Sequence, residues 1–271
     1  MSVSSSVSAS RNRRVVLVTG AAKRIGRGLA LGFAERGWDV AVHYGESAEE
    51  ARQVVDEIVA LGRRAVALQA DLAVEAQVLR LVPACIEALG GLACVVNCAS
   101  RFDEDTAQTF GYAKLLEMTA VNLAAPVALA RALHETVPDA AVDDETERGV
   151  VINVLDQKLY NMNPDYLSYT LTKAALENAT VALAQALAPK LRVVGLAPGL
   201  TLISAGQTPA TFEAAHRVTP LGRASRVEDL AAAACYLASA HGVTGTTLLV
   251  DGGQHLVPSP RDVMFMIGNQ G

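Results

Sequence analysis

Short apolar runs alternate with segments of helical periodicity along the chain, and this alternation limits most strongly how the chain can fold. The valine-rich runs predicted as strands span residues 15–19, 40–44, 65–70, 94–97, 150–154, 193–196 and 247–250. Strands that are apolar at every position are typical of a parallel sheet covered on both faces. With right-handed crossovers they predict an α/β, doubly wound Rossmann-type fold, with a mainly parallel sheet of about seven strands and helices on both faces.

The intervening segments are predicted as helices at 24–36, 48–61, 75–89, 112–137, 166–188 and 229–238. No repeat or linker divides the chain, so residues 14–271 are predicted to form a single domain. The Ser-rich, basic segment 1–13 is expected to be a disordered tail, with a transit peptide as the alternative. The long connection at about 200–222 is expected to be a substrate loop.

Composition narrows the classes of partner. The net charge of −5 offers no general basic face, so no nucleic-acid partner is expected. No apolar run approaches the ~18 residues of a transmembrane helix, so no membrane partner is expected. The five histidines lack ligand spacing and the four cysteines include no Cys-x-x-Cys pair, so we expect no metal site, no disulfide and a cytoplasmic location.

A glycine turn, VTGAAKRIGRGLA, joins the first predicted strand to the first helix. Gly20 permits a tight turn, and Gly26 permits close packing of the helix against the strand. Free backbone amides and the dipole at a helix N-terminus favour a pyrophosphate. At the first strand–helix junction of a doubly wound fold, this turn predicts a dinucleotide site.

Tyr169 and Lys173 lie four residues apart in a predicted helix and therefore share one face. The nearby ammonium is expected to lower the tyrosine pKa from its usual value of about 10. Such a tyrosine can pass a proton to an atom that receives hydride. Alone, the pair is common on helix surfaces, so the prediction of a reductase depends on the glycine turn as well.

Together the motifs resemble the short-chain dehydrogenase/reductase family. They are Thr19-Gly20-x-x-x-Arg24-x-Gly26, Asp71-Leu72, Asn97-Cys98-Ala99, Asn122, Tyr169-x-x-x-Lys173, Pro198-Gly199 and Val250-Asp251-Gly252-Gly253. The resemblance runs from about residue 14 to residue 253 and implies an NAD(P)H-dependent oxidoreductase that forms a homotetramer. It also implies that Lys173 holds the nicotinamide ribose and that Asn122 keeps a water relay in place.

Several residues resemble the pteridine reductase branch of that family. Arg24 stands where most members have glycine, and Ser100 ends a segment that reads Asn-Asn-Ala-Gly in most members. Asp156, thirteen residues before Tyr169, stands where most members have serine. The branch also implies that Phe102 places its ring over a pterin, with the nicotinamide on the other face.

The chemistry of Asp156 favours the same interpretation. A serine donates a hydrogen bond to a carbonyl oxygen that becomes an alkoxide, whereas a carboxylate repels that charge. A carboxylate also raises the pKa of a neighbouring Tyr169, which suits reduction of a C=N bond by a protonated tyrosine. We therefore expect Asp156 to orient an amino-substituted heterocycle and Tyr169 to supply the proton.

The predicted site residues fall into three groups. The catalytic residues are Asp156, Tyr169, Lys173 and Asn122. The cofactor-binding residues are Gly20, Lys23, Arg24, Ile25, Gly26, His43, Tyr44, Ser47, Asp71, Leu72, Asn97, Ala99, Ser100, Lys173, Pro198, Gly199 and Leu200. The substrate-binding residues are Arg24, Ser100, Phe102, Asp156 and Tyr169.

NADPH is favoured as the cofactor, with NADH as the alternative. No acidic residue occupies the end of the second strand, and Lys23 and Ser47 could contact a 2′-phosphate. Glu46 speaks against this contact, since the pteridine reductases have a basic residue there.

The leading interpretation is an NADPH-dependent reductase of a pterin such as dihydrobiopterin, dihydromonapterin or dihydrofolate. One alternative is a carbonyl reductase, such as a 3-oxoacyl-carrier-protein reductase, which serine in place of Asp156 and glycine in place of Arg24 would have favoured. The other is a nucleotide-binding sensor without turnover. The intact Asn122, Tyr169 and Lys173 argue against the sensor.

Overall fold

A computed structural model describes residues 14–203, 208, 212–213, 217, 219–223, 225–262 and 265. Within them, seven strands form one sheet: β1 Val15–Val18, β2 Asp39–Tyr44, β3 Ala65–Gln69, β4 Cys94–Asn97, β5 Gly149–Val154, β6 Leu191–Pro198 and β7 Thr247–Val250. The tail expected at 1–13 and part of the loop expected at 200–222 lie outside the described residues.

All strand pairs in the sheet are parallel, in the order β3-β2-β1-β4-β5-β6-β7. The strands β1, β4 and β5 are buried at every position, as their uninterrupted apolar runs predict. The chain order reverses between β1 and β4, and such a switch point opens a crevice at the carboxyl ends of the strands. The predicted doubly wound fold is therefore confirmed.

Helices cover both faces of the sheet. They are α1 Arg24–Glu35, α2 Ala48–Ala60, α3 Glu75–Leu89, α4 Tyr112–Thr119, α5 Ala125–Thr136, α6 Leu167–Ala186 and α7 Val227–Ser239. On one face, α1, α2 and α7 form a core that includes Phe33 and Leu230. On the other, α3, α5 and α6 form a core that includes Val78 and Leu129.

The helix predicted over 112–137 is divided, because a π-helical turn, Ala120–Ala124, joins α4 to α5. Such turns occur frequently at functional sites. Among the described residues, Tyr112–Thr136 is the one helical stretch long and apolar enough to cross a membrane by length and composition. Its Met118 and Leu129 are fully buried within the protein, whereas Tyr112 and Leu116 are exposed.

Candidate active site

A cavity of about 490 Å³ opens at the carboxyl ends of the central strands. Fourteen predicted site residues line it: Gly20, Lys23, Arg24, Ile25, Gly26, Ala99, Ser100, Phe102, Asp156, Tyr169, Lys173, Pro198, Gly199 and Leu200. The other seven lie outside its wall: His43, Tyr44, Ser47, Asp71, Leu72, Asn97 and Asn122. The fold thus brings most of the predicted residues together where doubly wound sheets bind ligands.

Close contacts explain the glycines of the turn after β1. Gly20 has a φ of +66°, and a Cβ there would lie 2.9 Å from the Cα of Ala99. A Cβ on Gly26 would lie 2.1 Å from the carbonyl oxygen of Gly20. The backbone can therefore approach this closely only because both residues are glycine. The turn brings the N-terminus of α1 to the cavity wall.

His43 holds this turn from within the sheet. The amide of Gly20 donates to Nδ1 of His43 at 3.0 Å, so the ring proton lies on Nε2, which donates to the carbonyl of Ala70 at 3.1 Å. The residue is 2% exposed, and burial lowers its pKa to about 4. His43 is therefore neutral near pH 7, and both ring nitrogens are engaged in fixing the glycine turn.

The neighbouring predicted residues shape the edge of the site. Tyr44 is partly buried against the core, and Ser47 immediately precedes α2. The carboxylate of Asp71 accepts a hydrogen bond from the amide of Ala73 at 2.9 Å, and Leu72 is buried in the core. These side chains stabilise the loops after β2 and β3 rather than the cavity wall itself.

Arg24 begins α1 in the left-handed backbone conformation, with a φ of +53°. This conformation costs a residue with a Cβ about 1–2 kcal/mol, which explains why glycine suits the position. The Arg24 Nη1 donates to the carbonyl of Ile203 at 2.9 Å, and the neighbouring Lys23 pairs with Glu50 at 2.7 Å. Arg24 therefore accepts backbone strain at a place where it adds a cation to the cavity wall.

Asp156, Tyr169 and Lys173 meet in the cavity. The Tyr169 hydroxyl donates to Oδ2 of Asp156 at 2.8 Å, while Oδ1 accepts from the amide of Lys158 at 2.8 Å. Lys173 Nζ donates to the carbonyl of Val154 at 2.7 Å and lies 5.8 Å from the centre of the Tyr169 ring. The direct partner of the tyrosine hydroxyl is therefore the carboxylate.

These contacts set the protonation of the pair. Burial raises the pKa of Tyr169 well above 10, and the charge and hydrogen bond of Asp156 raise it further. The expected lowering by Lys173 is wrong, because that ammonium bonds to a backbone carbonyl and its own pKa is lowered by burial. Burial also raises the pKa of Asp156, against the opposing effect of its hydrogen bonds. Tyr169 is therefore a neutral phenol with a proton to donate.

Asn122 acts on the cavity through the loop after β4. Its Oδ1 accepts from the amide of Arg101 at 2.8 Å and from Oγ of Ser100 at 3.3 Å. Its Nδ2 donates to the carbonyl of Arg101 and to Oγ1 of Thr172, both at 3.0 Å. The amide thus fastens the loop that carries Ser100 to α6, and protein atoms satisfy both of its ends.

Buried polar contacts join the ends of the central strands. Asn97 Nδ2 donates to Oδ1 of Asn153 at 2.8 Å, and Asn153 Nδ2 donates to Oγ1 of Thr180 at 2.9 Å. Thr19 Oγ1 accepts from the amides of residues 98 and 99, each at 3.0 Å. These contacts fix the segment after β4, which forms one side of the cavity.

Three aromatic rings form a column that ends at the cavity wall. Phe102 stacks on Tyr166 with centroids 4.3 Å apart and planes 20° apart, and Tyr166 stacks on Phe265 at 6.0 Å. The edge contact of Phe102 with Tyr169 is 4.7 Å between centroids. Phe102 is 45% exposed and lines the cavity, so it offers a flat apolar surface beside the Tyr169 hydroxyl.

The C-terminal segment, residues 257–262, returns to the cavity. Arg261 Nε lies 2.9 and 2.8 Å from the two carboxylate oxygens of Asp165, and the amide of Asp262 donates to Asp165 at 2.7 Å. The Asp262 side chain lines the cavity and lies 3.9 Å from Nζ of Lys158, a buried ammonium. A second carboxylate therefore stands in the same cavity as Asp156.

Among the described residues, no group of three or more His, Cys, Asp or Glu side chains could hold a metal ion. All four cysteines are free. Cys98 lines the cavity, and burial raises its pKa to about 11. Its thiol therefore stays protonated near pH 7.

Comparison with known proteins assigns the family. A family model described as enoyl-(acyl carrier protein) reductase matches residues 20–255. The chain belongs to the short-chain dehydrogenase/reductase family. The 3beta-hydroxysteroid dehydrogenase 1 of Eggerthella lenta is 33% identical, over 90% of this chain and 95% of its own length. The 3-oxoacyl-[acyl-carrier-protein] reductase FabG of Staphylococcus aureus is 30% identical, over 89% of this chain and 97% of its own.

Solved structures extend the likeness. The FolM alternative dihydrofolate reductase 1 from Brucella canis, complexed with NADP, superposes with a TM-score of 0.85 and 38% identity, over 93% of this chain and 98% of that one. The FolM protein from Brucella suis, also in complex with NADP, gives the same TM-score and identity over 92% of this chain. This chain is therefore an NAD(P)H-dependent oxidoreductase of the short-chain type.

Sequence reasoning about this short-chain reductase missed residues that shape its cavity. Lys158 follows Asp156 by two residues, and that proximity was a local signal for it. Tyr166 and Asp262 carry no motif, and only the return of the C-terminal segment reveals them. Gln254 is a further case, since its Oε1 accepts from the amide of Leu200 at 2.9 Å.

Proposed function

We propose that this short-chain reductase uses NADPH to reduce a pterin of the dihydrobiopterin, dihydromonapterin or dihydrofolate type. The observation that carries the proposal is the 2.8 Å hydrogen bond from the Tyr169 hydroxyl to Asp156. It keeps a proton on the tyrosine, and it puts a carboxylate where carbonyl reduction would develop negative charge. Both features favour a C=N bond as the group reduced. The likeness to the two Brucella FolM alternative dihydrofolate reductases supports the same assignment.

The glycine turn fits a dinucleotide. Gly20 and Gly26 let the turn pack tightly against neighbouring backbone, where a Cβ would clash. The turn leads into the N-terminus of α1, whose free amides and dipole favour a pyrophosphate. Lys173 and the segment Pro198–Leu200 would hold the nicotinamide half. Bound NADPH supplies the hydride.

The preference for NADPH over NADH has local support. The likeness to two FolM proteins crystallised with NADP favours it. Lys23, near the start of α1, and Ser47, before α2, could contact a 2′-phosphate, and β2 ends at Tyr44 without an acidic residue. The ion pair of Lys23 with Glu50 holds that ammonium near the start of α2.

In the proposed reaction, a pterin stacks on Phe102 and donates hydrogen bonds from its amino edge to Asp156. Tyr169 then gives its proton to a ring nitrogen as the neighbouring carbon receives hydride. Lys173, whose Nζ lies 5.8 Å from the centre of the Tyr169 ring, is close enough to the reacting groups to hold the nicotinamide half of the cofactor beside them. Asn122 positions this machinery by fixing the loop that precedes Phe102.

A carbonyl reductase, such as a 3-oxoacyl-carrier-protein reductase, is the second candidate. The 30% identity with the Staphylococcus aureus FabG protein favours it. The Asp156 carboxylate disfavours it, because a carboxylate that accepts a hydrogen bond from Tyr169 has no proton of its own to donate to a carbonyl oxygen and repels the negative charge that develops there. A sensor without turnover is disfavoured because Tyr169 and Lys173 both line the cavity.

The test is NADPH oxidation with dihydrobiopterin, dihydromonapterin, dihydrofolate and a β-ketoacyl thioester, with NADH in parallel. We expect kcat/KM for a pterin to exceed that for the thioester by about 100-fold or more. The variant Tyr169→Phe, which keeps the ring and removes the proton, is the control for enzymatic turnover. A preference for the thioester would establish the carbonyl reductase, and NADPH binding without consumption would establish the sensor.

We also propose self-association, into the homotetramer that the family resemblance implies. Large apolar side chains are exposed on α4 and α6, namely Tyr112, Leu116, Leu171 and Val181. Such groups are typical of subunit interfaces. Size-exclusion chromatography with light scattering measures the molecular mass of the protein in solution. The mass of a monomer would contradict the proposal.

A further inference from the structure

The C-terminal segment is fixed in place by charged contacts at three points. Arg261 pairs with Asp165, and the Asp262 amide donates to the same carboxylate at 2.7 Å. Nζ of Lys158 lies 3.9 Å from Oδ2 of Asp262 and donates to the backbone carbonyl of Asp165. The Asp262 carboxylate therefore has a fixed place in the cavity wall.

Asp262 belongs to the part of the cavity near the proton donor. Its Oδ2 lies 3.9 Å from Nζ of Lys158, and the backbone amide of Lys158 donates to Asp156 at 2.8 Å, so Lys158 links the two carboxylates. Asp262 is separate from the glycine turn, where Lys23 and Arg24 supply positive charge to the same cavity. The wall on the proton-donor side holds two carboxylates, Asp156 and Asp262, and one ammonium, Lys173.

Lys158, a cation near Asp262, is buried behind the cavity wall. The Lys158 side chain is 4% exposed and that of Asp262 is 20% exposed, and only Asp262 lines the cavity. Lys158 also lies 5.5 Å from the centre of the Tyr166 ring, beneath the aromatic column. A charged group in the cavity is closer to the Asp262 carboxylate than to the Lys158 ammonium. It therefore interacts more strongly with the carboxylate, because Coulomb energy falls with distance.

We propose that Asp262 is a specificity-determining residue that favours pterins with a neutral side chain over pterins whose side chain ends in carboxylates. This inference rests on the proposed pterin reductase function. The pterin ring binds between Phe102 and Asp156, and its substituent extends along the wall that Asp262 forms. An anionic substituent is repelled there, whereas a neutral polyol is not and can donate hydrogen bonds to the carboxylate. Lys158 and Arg261 are positioning residues for Asp262.

The test compares dihydrofolate, whose glutamate is anionic, with the neutral dihydrobiopterin in wild type and Asp262→Asn. We expect the variant to raise kcat/KM for dihydrofolate about 3–10-fold, mainly through KM, and to leave dihydrobiopterin within about 2-fold. Any change in proton transfer at Tyr169 affects both substrates and cancels in the ratio. Added salt should reduce the wild-type preference for dihydrobiopterin over dihydrofolate, and it should hardly change the ratio of the two kcat/KM values in the variant.

Glu104→Gln is the matched control, because Glu104 is an exposed carboxylate near Tyr166 that does not line the cavity. We expect it to keep the wild-type ratio of the two substrates. An unchanged ratio in Asp262→Asn, or an equal change in both variants, overturns the inference while leaving the pterin reductase function intact. If wild type turns over neither pterin, the proposed function falls and the inference falls with it.

Discussion

The hydroxyl oxygen of Tyr169 and Oδ2 of Asp156 lie 2.8 Å apart, and the hydrogen bond between them leaves the shared proton on the tyrosine. A serine in place of Asp156 would act as a donor to substrate, whereas the carboxylate acts as an acceptor. The pair thus combines a protonated phenol with a carboxylate that accepts hydrogen bonds. This combination matches a substrate that needs a proton and presents amino groups.

Replacing Asp156 with serine tests this relationship. We expect kcat for pterin reduction to fall by about 100-fold or more, because the substrate loses its anchor. The pKa of Tyr169 should also fall once the carboxylate is gone, so the alkaline limb of the pH–rate profile should move to lower pH. Asp103→Ser, at an exposed carboxylate beyond Phe102, is the control. Pterin turnover near the wild-type rate in Asp156→Ser would show that the carboxylate has no such role.

Arg24 can be tested with a pair of variants that separate strain from charge. Arg24→Gly removes the guanidinium and relieves the left-handed strain, so the free energy of unfolding should rise by about 1 kcal/mol while KM for NADPH increases. Arg24→Ala removes the guanidinium but keeps a Cβ at a φ of +53°. It should weaken NADPH binding equally without the gain in stability. If urea denaturation gives the two variants equal free energies of unfolding, the left-handed conformation at residue 24 does not destabilise the protein.

His43 should make the fold sensitive to acid. Its pKa is about 4 in the folded protein, so between pH 6.5 and about 4 the unfolded chain binds a proton that the folded chain does not. Stability therefore falls as the pH falls through this range, by up to about 3 kcal/mol from this residue. His43→Asn cannot ionise and should show a shallower loss in urea denaturation across the range. His241→Asn, at an exposed histidine, should keep the wild-type slope.

Asn122 should act by positioning. Asn122→Ala removes four hydrogen bonds that hold the Ser100 loop to α6, and we expect kcat/KM for a pterin to fall about 10–100-fold. Thr172→Val removes one of those bonds, so its effect should be less than about 10-fold. Steady-state kinetics compare the two variants. If kcat/KM falls equally in the two variants, the hydrogen bond from Asn122 to α6 accounts for the loss, and the hydrogen bonds to the Ser100 loop do not.

Much of the fold could be predicted because continuous apolar runs admit few interpretations. The strand at 94–97 and the helix at 75–89 have the predicted bounds. The sixth strand is longer than the predicted 193–196, because β6 begins at Leu191 and includes Arg192. That guanidinium donates to the carbonyls of residues 237 and 238 at the end of α7, and a sequence pattern does not show such a partner for a buried charge.

The division of the long helix had one sign in the sequence, Pro126, which lies at the start of α5 and lacks the amide hydrogen that an uninterrupted helix needs. Apolar periodicity is nearly the same on either side of Ala120–Ala124, and one extra residue per turn changes it little. The consequence is local but important, since the π-helical turn carries Asn122. Its place in a helix was predictable, whereas the loop that its side chain would bind was not.

The parts of the cavity formed by residues close together in the sequence could be predicted. The parts formed by residues far apart in the sequence could not. Gly20 and Gly26, or Tyr169 and Lys173, imply their own geometry through close spacing. Lys158 has the chemistry of a surface residue, and only the carboxylates that surround it explain its burial. The roles proposed for the lining residues remain predictions that the variants above will test.

The return of the C-terminal segment also sets when the cavity is completed during synthesis. About 240 residues separate Gly20 from Asp262, and both line the same space. At ribosomal rates of about 5–20 residues per second, roughly 10–50 s pass between the emergence of the two. The nascent chain therefore possesses its glycine turn, Tyr169 and Lys173 well before Asp262. Among the described residues that line the pocket, Asp262 is the last to be synthesised.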